Sequence, residues 1–186
     1  MPRITPLKGP YSTSTQKLFD LAMPDGMEPL SLFRVMARSE RLLPRFMRAG
    51  VLDRGPVPIR DREIVIHRTT ALCHAEYEWG VHVNAFGRPL ELGEDVLRAI
   101  VSGDASDSAF DEKQAVLITL CDELHTTSTL CNETWERLRE HFDELQLLEL
   151  IYTVGMYHTV SFLVNGLDLE NEEFGARFAE FDGKSS

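Results

Sequence analysis

Apolar side chains recur at intervals of three and four residues along most of the chain, which is the spacing of an amphipathic helix. Between Ala109 and Thr126 the pattern sets charged positions at 111–113 against an apolar face of Phe110, Ala115, Val116, Leu117, Ile118, Leu120 and Leu124. Alternating Val-, Ile- and Thr-rich runs bounded by turns, which would indicate strands, are missing from the sequence. The pattern predicts an all-α fold, a helical bundle of about seven or eight helices in one domain spanning 1–186.

Turn-forming and helix-capping residues divide this pattern into separate elements. Further helices are expected at Ser14–Ala22, Pro29–Met36, Glu40–Met47, Ile59–Thr70, His74–Phe86, Gly93–Val101, Thr129–Phe142 and Asp143 to about Gly166. A pause is expected at Thr69–Cys73, because two adjacent β-branched threonines are weak helix formers. The proline-containing residues 1–13 predict a flexible arm, and the acidic residues 168–186 predict a peripheral tail.

The stretch Leu150–Leu167 carries no charged side chain, and its length approaches that of a membrane span. It also contains residues that would be costly against lipid, among them Tyr152, His158, Ser161 and Asn165. We therefore expect a helix buried in the protein or in a subunit interface, with no membrane as partner.

The charge balance narrows the classes of partner. The formal net charge is −11, which disfavours nucleic acid and anionic membranes as partners, because phosphate binding needs clustered lysine and arginine.

The three cysteines, Cys73, Cys121 and Cys131, are odd in number and form no C-x-x-C pair, so neither a disulfide framework nor a zinc ribbon is indicated. Unpaired cysteines, and an N-terminus without the apolar run of a signal peptide, are typical of a cytoplasmic protein.

The candidate chemistry lies between Asp61 and Gly87. Glu78 and His82 are four residues apart, so a helix would place them on one face, one turn apart. If exposed, such a pair is an ordinary ion pair that contributes a few tenths of a kcal/mol. If buried, it is a general acid–base pair, because histidine titrates near neutral pH. Glu63, nineteen residues before His82, would fold back towards the imidazole and fix its tautomer if the helix breaks near Cys73.

The same stretch raises the question of a metal. His74, Glu78 and His82 would form one stripe on a helix, with His67 further back, and ligands at i and i+4 can bind a divalent ion. The match to a zinc motif is incomplete, and no ligand from a third segment is evident. We therefore predict no metal and no other cofactor.

The remaining candidates are ambiguous from the residues alone. Cys73 is either a reactive thiolate near a helix N-terminus or, as we favour, a small buried hydrophobe. Cys121 is expected in the core. His158 is either a core histidine or, with Tyr77 and Trp79, part of the wall of a substrate pocket.

The segment REIVIHRTTALCHAEYEWGVHVNAFG resembles the signature of the carboxymuconolactone decarboxylase family, which also contains the alkylhydroperoxidase D-like peroxidases. The flanking stretches SLFRVMARSERLLPRFMRAG and CDELHTTSTLCNETWERLREHFDELQLLELIYTVGMYHTVSFLVNGLDLE resemble the longer family members. The similarity extends from about Pro29 to Glu170. The YEWGVH core with an upstream RE carries the resemblance.

The peroxidase branch of this family has a glutamate nineteen residues before the histidine of a C-x-x-C-x-x-x-H motif. Glu63 and His82 keep that spacing, but Ala75 and Glu78 occupy the two cysteine positions. A dithiol peroxidase cycle needs one thiolate to attack peroxide and a second thiol to close a disulfide. The chain cannot perform that cycle at this site.

The resemblance to the decarboxylase branch implies a small all-helical subunit in a homo-oligomer (a dimer, trimer or hexamer), with a cofactor-free pocket that decarboxylates a lactone acid. Our first hypothesis is accordingly a lyase or isomerase for a small carboxylate-bearing molecule, with Glu78 and His82 as the acid–base pair and Glu63 as the orienting group. The second is a peroxiredoxin-type antioxidant enzyme that uses Cys73 as its single thiol. The third is a non-catalytic helical binding protein.

Overall fold

The structure is a computed structural model that describes residues 1–50 and 52–181, and within them the secondary structure is entirely helical. The described part contains nine α-helices: α1 (Thr13–Ala22), α2 (Ser31–Met36), α3 (Leu42–Ala49), α4 (Ile59–Leu72), α5 (Glu76–His82), α6 (Glu94–Ser102), α7 (Glu112–Thr127), α8 (Asn132–Arg139) and α9 (Glu144–Gly166). A π-helical turn, Val83–Gly87, continues α5, and a 3₁₀ turn lies at Phe178–Glu180. The predicted all-α class is confirmed. The count of nine in this part of the chain is slightly above the seven or eight predicted, and α2 and α3 are the two separate helices expected at Pro29–Met36 and Glu40–Met47.

Helix α4 lies at the centre of the fold, in contact with α5, α6, α7 and α9. Every residue from Asp61 to Ala71 is buried. Ile64 and Val65 pack into a core shared with α6, α7 and α8, whereas Ile66 packs into a second core shared with α1–α3 and the second half of α9. The central helix therefore has no solvent-exposed face.

The polar residues of α4 are buried with specific partners. The Arg68 guanidinium donates to both carboxylate oxygens of Asp122, at 2.7 and 2.9 Å, and to the carbonyl oxygen of Ile100. The Asp61 carboxylate accepts from Lys113 at 2.5 Å. The α4 side chains of these pairs are buried, whereas Asp122 and Lys113 are about one-third exposed, so the contacts connect α4 to α7 at the edge of the core.

The predicted interruption is present, but it begins after Leu72 and not at Thr69. The helix continues through Thr70 to Leu72, and the Cys73 N–H still donates to the Thr69 carbonyl oxygen at 3.1 Å. The chain then reverses through His74, which has a positive φ of 52°, before α5 begins at Glu76. The α4–α5 pair is thus a helical hairpin.

The long apolar helix α9 begins where expected: the Asp143 side chain accepts from the Gln146 N–H at 2.9 Å and caps it. By length and composition alone it could cross a membrane, but its inner face, including Leu150, Val154 and Tyr157, is buried in the fold. Its outer face exposes Leu145, Leu148, Tyr152 and Phe162. The helix is therefore half core and half exposed apolar surface.

Both termini make more contacts than the sequence suggested. The arm is not helical before Thr13, yet the Arg3 N–H donates to the Leu167 carbonyl oxygen at 2.8 Å. The tail is not peripheral as far as Phe181: the side chains of Phe178 and Phe181 pack on the Trp79 ring, and Ala176 is buried. The rest of the predicted tail, residues 182–186, lies outside the described residues.

The close approach of the tail makes Gly80 a position where no side chain fits. The Ala176 N–H donates to the Gly80 carbonyl oxygen at 3.1 Å, and a Cβ at Gly80 would lie 2.2 Å from the Ala176 carbonyl oxygen. Gly80→Ala is therefore expected to lower the free energy of unfolding by about 1–3 kcal/mol through overpacking, measured by denaturant unfolding. The control is Gly166→Ala, since nothing lies within 4 Å of a Cβ there. Equal stability of the two variants would refute this account of the tail.

Candidate functional site

The helical hairpin α4–α5 brings Glu63 and His82 together, although they are nineteen residues apart. His82 Nδ1 lies 2.8 Å from Glu63 Oε2. Both side chains are buried, Glu63 completely. The contact joins a residue near the start of α4 to the last residue of α5, which is possible because the chain reverses at His74.

The other ring nitrogen of His82 faces two more polar groups. Its Nε2 lies 3.1 Å from Tyr157 Oη, on α9, and 3.4 Å from Glu78 Oε1, one turn back on α5. The Phe86 ring, in the π-helical turn, stacks on the imidazole with centroids 5.1 Å apart. The imidazole is thus held between two carboxylates and a phenol, with an aromatic ring on its face.

These neighbours determine the protonation of His82. Burial alone would lower its pKa, but the Glu63 and Glu78 carboxylates outweigh burial and raise the pKa to about 10. With the imidazole protonated, Nδ1–H donates to Glu63 and Nε2–H faces Tyr157 and Glu78. Burial, together with Glu78 and Glu63, raises the pKa of Tyr157 well above its usual value. Near neutral pH the site therefore contains an imidazolium and a neutral phenol.

His67 has the opposite protonation state. It is fully buried, one turn after Glu63 on α4, and its Nδ1 lies 2.5 Å from the Glu63 carbonyl oxygen. Burial lowers the pKa of His67 to about 4, although Glu63 opposes the shift. The Nδ1–H therefore donates to the carbonyl, and the neutral ring packs edge-on against His82, with centroids 6.2 Å apart.

Two carboxylate oxygens in the site, Glu63 Oε1 and Glu78 Oε2, are buried and accept no hydrogen bond within the described residues. Glu63 Oε1 lies 3.9 Å from the Arg62 guanidinium. The Glu78 side chain is 10% exposed, whereas those of His82 and Glu63 are 3% and 0% exposed. A molecule that reaches His82 would therefore approach from the Glu78 side.

The structure places the other predicted site residues elsewhere. The Tyr77 hydroxyl bonds Glu172 at 2.5 Å and accepts from the Leu32 N–H, and Trp79 is fully buried beneath the tail. His158 lies near Cys73, in a separate group of side chains that does not include His82. These residues do not form one pocket around His82, because the tail encloses the aromatic side chains.

The proposed metal stripe is not formed. His74 precedes α5 and is exposed, so it does not share a helical face with Glu78 and His82. No group of potential ligands within the described residues combines these three side chains.

Among the cysteines, Cys121 is buried as expected, and burial raises the pKa of its thiol to about 12. All three cysteines are unpaired, and Cys73, which we favoured as a small buried hydrophobe, is only partly buried.

Sequence reasoning did not identify Tyr157 as a site residue. It lies on a helix seventy-five positions after His82, and its only signal is a phenol within an apolar run.

Two surface cavities, of about 290 and 340 Å³, do not include any of the residues around His82. The lining of the first includes Asp95, Arg98, Ser102 and Asp107, and that of the second includes Phe19, Asp20, Met23 and Met27.

Comparison with known proteins identifies the fold. No family model matches the chain, and no curated protein matches it in sequence. A search of solved structures found an uncharacterized peroxidase-related protein from Silicibacter sp. TM1040, at 16% identity and a TM-score of 0.79, which covers 94% of this chain and 93% of that one.

Two further structures are also similar over most of their length. One is the alkylhydroperoxidase AhpD core of a peroxidase-related protein from Ralstonia eutropha JMP134, at 15% identity and a TM-score of 0.75, covering 91% of this chain and 93% of that one. The other is a variant of the debrominase Bmp8 in complex with 2,3,4-tribromopyrrole, at 12% identity and a TM-score of 0.75, covering 92% of each chain. The chain therefore has the alkylhydroperoxidase D-like fold.

Proposed function

We propose that this protein is a cofactor-free acid–base enzyme that decarboxylates or isomerises a small carboxylate- or lactone-bearing substrate. The single observation that supports the proposal is the burial of His82 between Glu63 and Glu78, with Glu78 Oε2 unpartnered. A buried imidazolium next to an unpartnered carboxylate is a proton donor and acceptor pair positioned before substrate arrives.

In a decarboxylation the carbon–carbon bond of the substrate carboxylate breaks, its electron pair stays on the substrate carbon and carbon dioxide leaves. His82 Nε2–H then protonates that carbon. Glu63 keeps Nδ1–H in place throughout, and Tyr157 donates its O–H to the oxygen that carries the negative charge. The neutral His82 regains its proton from solvent through Glu78, the most exposed of the three groups.

The experiment is a screen of carboxylated lactones for release of carbon dioxide and loss of lactone absorbance, at neutral pH without added metal or reductant. The wild type is expected to convert at least one member, and His82→Gln is expected to be inactive. His141→Gln is the matched control, because His141 is partly exposed and lies with Glu112 and Glu140, away from the buried His82. If wild type and His82→Gln give equal rates on every converted substrate, the proposal is wrong.

Cys73 supports a second candidate, a single-thiol peroxidase with an external reductant. Its Sγ lies 3.9 Å from His125 Nδ1, and the solved structures of the same fold include peroxidase-related proteins. Peroxide consumption with a small thiol as reductant should then be lost in Cys73→Ser and retained in Cys131→Ser. If both variants match the wild type, this candidate is excluded.

We also propose a homo-oligomer, because the outer face of α9 exposes Leu145, Leu148 and Phe162 along one stripe, each about two-thirds or more exposed. The three free cysteines favour a cytoplasmic location. The double variant Leu148→Asp/Phe162→Asp is expected to be monomeric by light scattering, and the wild type a dimer or larger. Leu21→Asp changes an exposed leucine on α1 and serves as control. A wild-type monomer, or a wild type that floats with lipid vesicles, would contradict this assignment.

A further inference from the structure

Three potential metal ligands from three separate segments meet on a surface away from His82. Cys73 follows the end of α4, His125 lies near the end of α7 and His158 is in the middle of α9. Cys73 Sγ lies 3.9 Å from His125 Nδ1, which lies 3.0 Å from His158 Nε2. The three donor atoms all lie within 4.8 Å of one another. The stripe of His74, Glu78 and His82 considered from the sequence lay on one helix. This group differs from it, because its three ligands come from three segments of the chain.

The spacing of these atoms matches that of ligands around one small ion. With metal–nitrogen bonds of about 2.0–2.1 Å and a metal–sulfur bond of about 2.3 Å, a tetrahedral ion sets two nitrogens about 3.3–3.4 Å apart and nitrogen and sulfur about 3.5–3.6 Å apart. The two observed distances, 3.0 and 3.9 Å, differ from these values by a few tenths of an ångström. The third pair, Cys73 and His158, also has its donor atoms within 4.8 Å of each other.

Two hydrogen bonds already orient the ligands. His158 Nδ1 lies 2.9 Å from the Val154 carbonyl oxygen, so Nδ1–H donates there and the lone pair of Nε2 points at the other two side chains. The Asn165 amide donates to the Cys73 carbonyl oxygen at 2.8 Å and fixes Cys73 against α9. A bond from the second ring nitrogen to a carbonyl is the usual support of a metal-bound histidine.

We propose that Cys73, His125 and His158 bind one divalent transition-metal ion of the borderline class, with zinc as the ion that best fits one thiolate and two imidazoles. Hard ions such as Mg²⁺ and Ca²⁺ prefer oxygen ligands and are disfavoured. Within the described part of the chain no fourth Asp, Glu, His or Cys atom joins the group. The fourth position therefore faces solvent and holds water or an exchangeable ligand, as in zinc sites that are not purely structural.

The site is independent of the proposed acid–base chemistry, since none of its ligands is Glu63, Glu78 or His82. It also gives Cys73 a role without a second thiol. A metal-bound thiolate reacts more slowly with peroxide than a free one. The metal-site proposal therefore predicts an unreactive Cys73, whereas the single-thiol peroxidase proposal predicts a reactive one.

The test uses the full-length, reduced protein and Co²⁺, whose bond to a thiolate gives a sulfur-to-cobalt charge-transfer band and whose visible spectrum reports tetrahedral geometry. Wild type is expected to bind one Co²⁺ per chain with that band, and Zn²⁺ is expected to displace it. Cys73→Ser should lose the band, and His125→Ala or His158→Ala should each weaken binding by about 100-fold.

Cys131→Ser and His141→Ala are the matched controls. Cys131 is an exposed thiol at the start of α8, and His141 belongs to another group of potential ligands, with Glu112 and Glu140. The proposal is overturned if wild type binds no Co²⁺, or if the band persists in Cys73→Ser or is lost in a control. If Cys73→Ser does not fold, His125→Ala replaces it, because His125 is on the surface and its loss should not disturb the fold. Unchanged Co²⁺ affinity in His125→Ala would then overturn the proposal. Rapid alkylation of Cys73 that added Zn²⁺ does not slow would likewise overturn it.

Discussion

Replacing His82 by leucine is expected to lower the free energy of unfolding by about 3–5 kcal/mol at pH 7, measured by urea denaturation. The imidazolium lies 2.8 Å from Glu63 Oε2 and 3.4 Å from Glu78 Oε1. Leucine has a similar volume but no charge, so the variant leaves two carboxylates buried without their shared partner. The expected loss of stability is that of a buried ion pair from which only the positive partner has been removed.

The matched control neutralises all three groups at once. In Glu63→Gln/Glu78→Gln/His82→Leu no buried charge is left unpaired, and much of the lost stability is expected to return. If the single variant His82→Leu is within about 0.5 kcal/mol of the wild type, a range typical of surface substitutions, the buried ion pair is not present as described.

The same pair predicts how stability depends on pH. The folded-state pKa of His82 is raised from 6.5 to about 10, so its contribution is fully present below about pH 6.5. That contribution is lost as the pH rises through 10, because the folded protein must then release a proton that the unfolded chain has already released. Wild-type stability should therefore fall between pH 6.5 and 10, and this component of the fall should be missing from His82→Leu.

The second large effect is expected on catalysis. Glu78→Gln should lower kcat by about 10²–10⁴-fold on a substrate that the wild type converts, which is the usual contribution of a positioned acid or base. The amide keeps the size of the side chain but cannot return a proton to His82. Since Glu78 makes only one long contact with His82, the fold should tolerate the change.

Glu76→Gln is the matched control on the same helix. The Glu76 carboxylate accepts from Asn171 and from the Phe178 N–H, so it holds the tail and does not face His82. This variant should lose some stability but keep kcat. If Glu78→Gln keeps kcat within a few-fold, or if Glu76→Gln loses as much activity, Glu78 has no part in proton transfer.

The helices were predictable because their caps and apolar spacing are local. Asp143 begins α9 as expected, and apolar spacing gives α7 to within a few residues. The approach of Glu63 to His82 was predictable only as a consequence of a break near Cys73. The weak helix formers gave its approximate place, but the backbone bonds of α4 continue through both threonines as far as Leu72.

The rest depends on contacts between distant parts of the chain. α4 carries arginines, acids and threonines, and no periodicity indicates that it is buried on all sides. Trp79 is in the core and not in a pocket because the tail returns across it, ninety-nine residues later at Phe178. Cys73 meets His125 and His158 only because α4, α7 and α9 pack together, and nothing adjacent in the sequence marks that meeting.

The most direct test of the central claim, that His82 is a buried imidazolium held between two carboxylates, is an NMR titration of the histidine side-chain nitrogens. The His82 ring is expected to stay protonated on both nitrogens from pH 6 to beyond pH 8, with a pKa near 10, while His67 stays neutral down to about pH 5. A His82 that titrates near 6.5, or that is neutral at pH 7, would contradict the account.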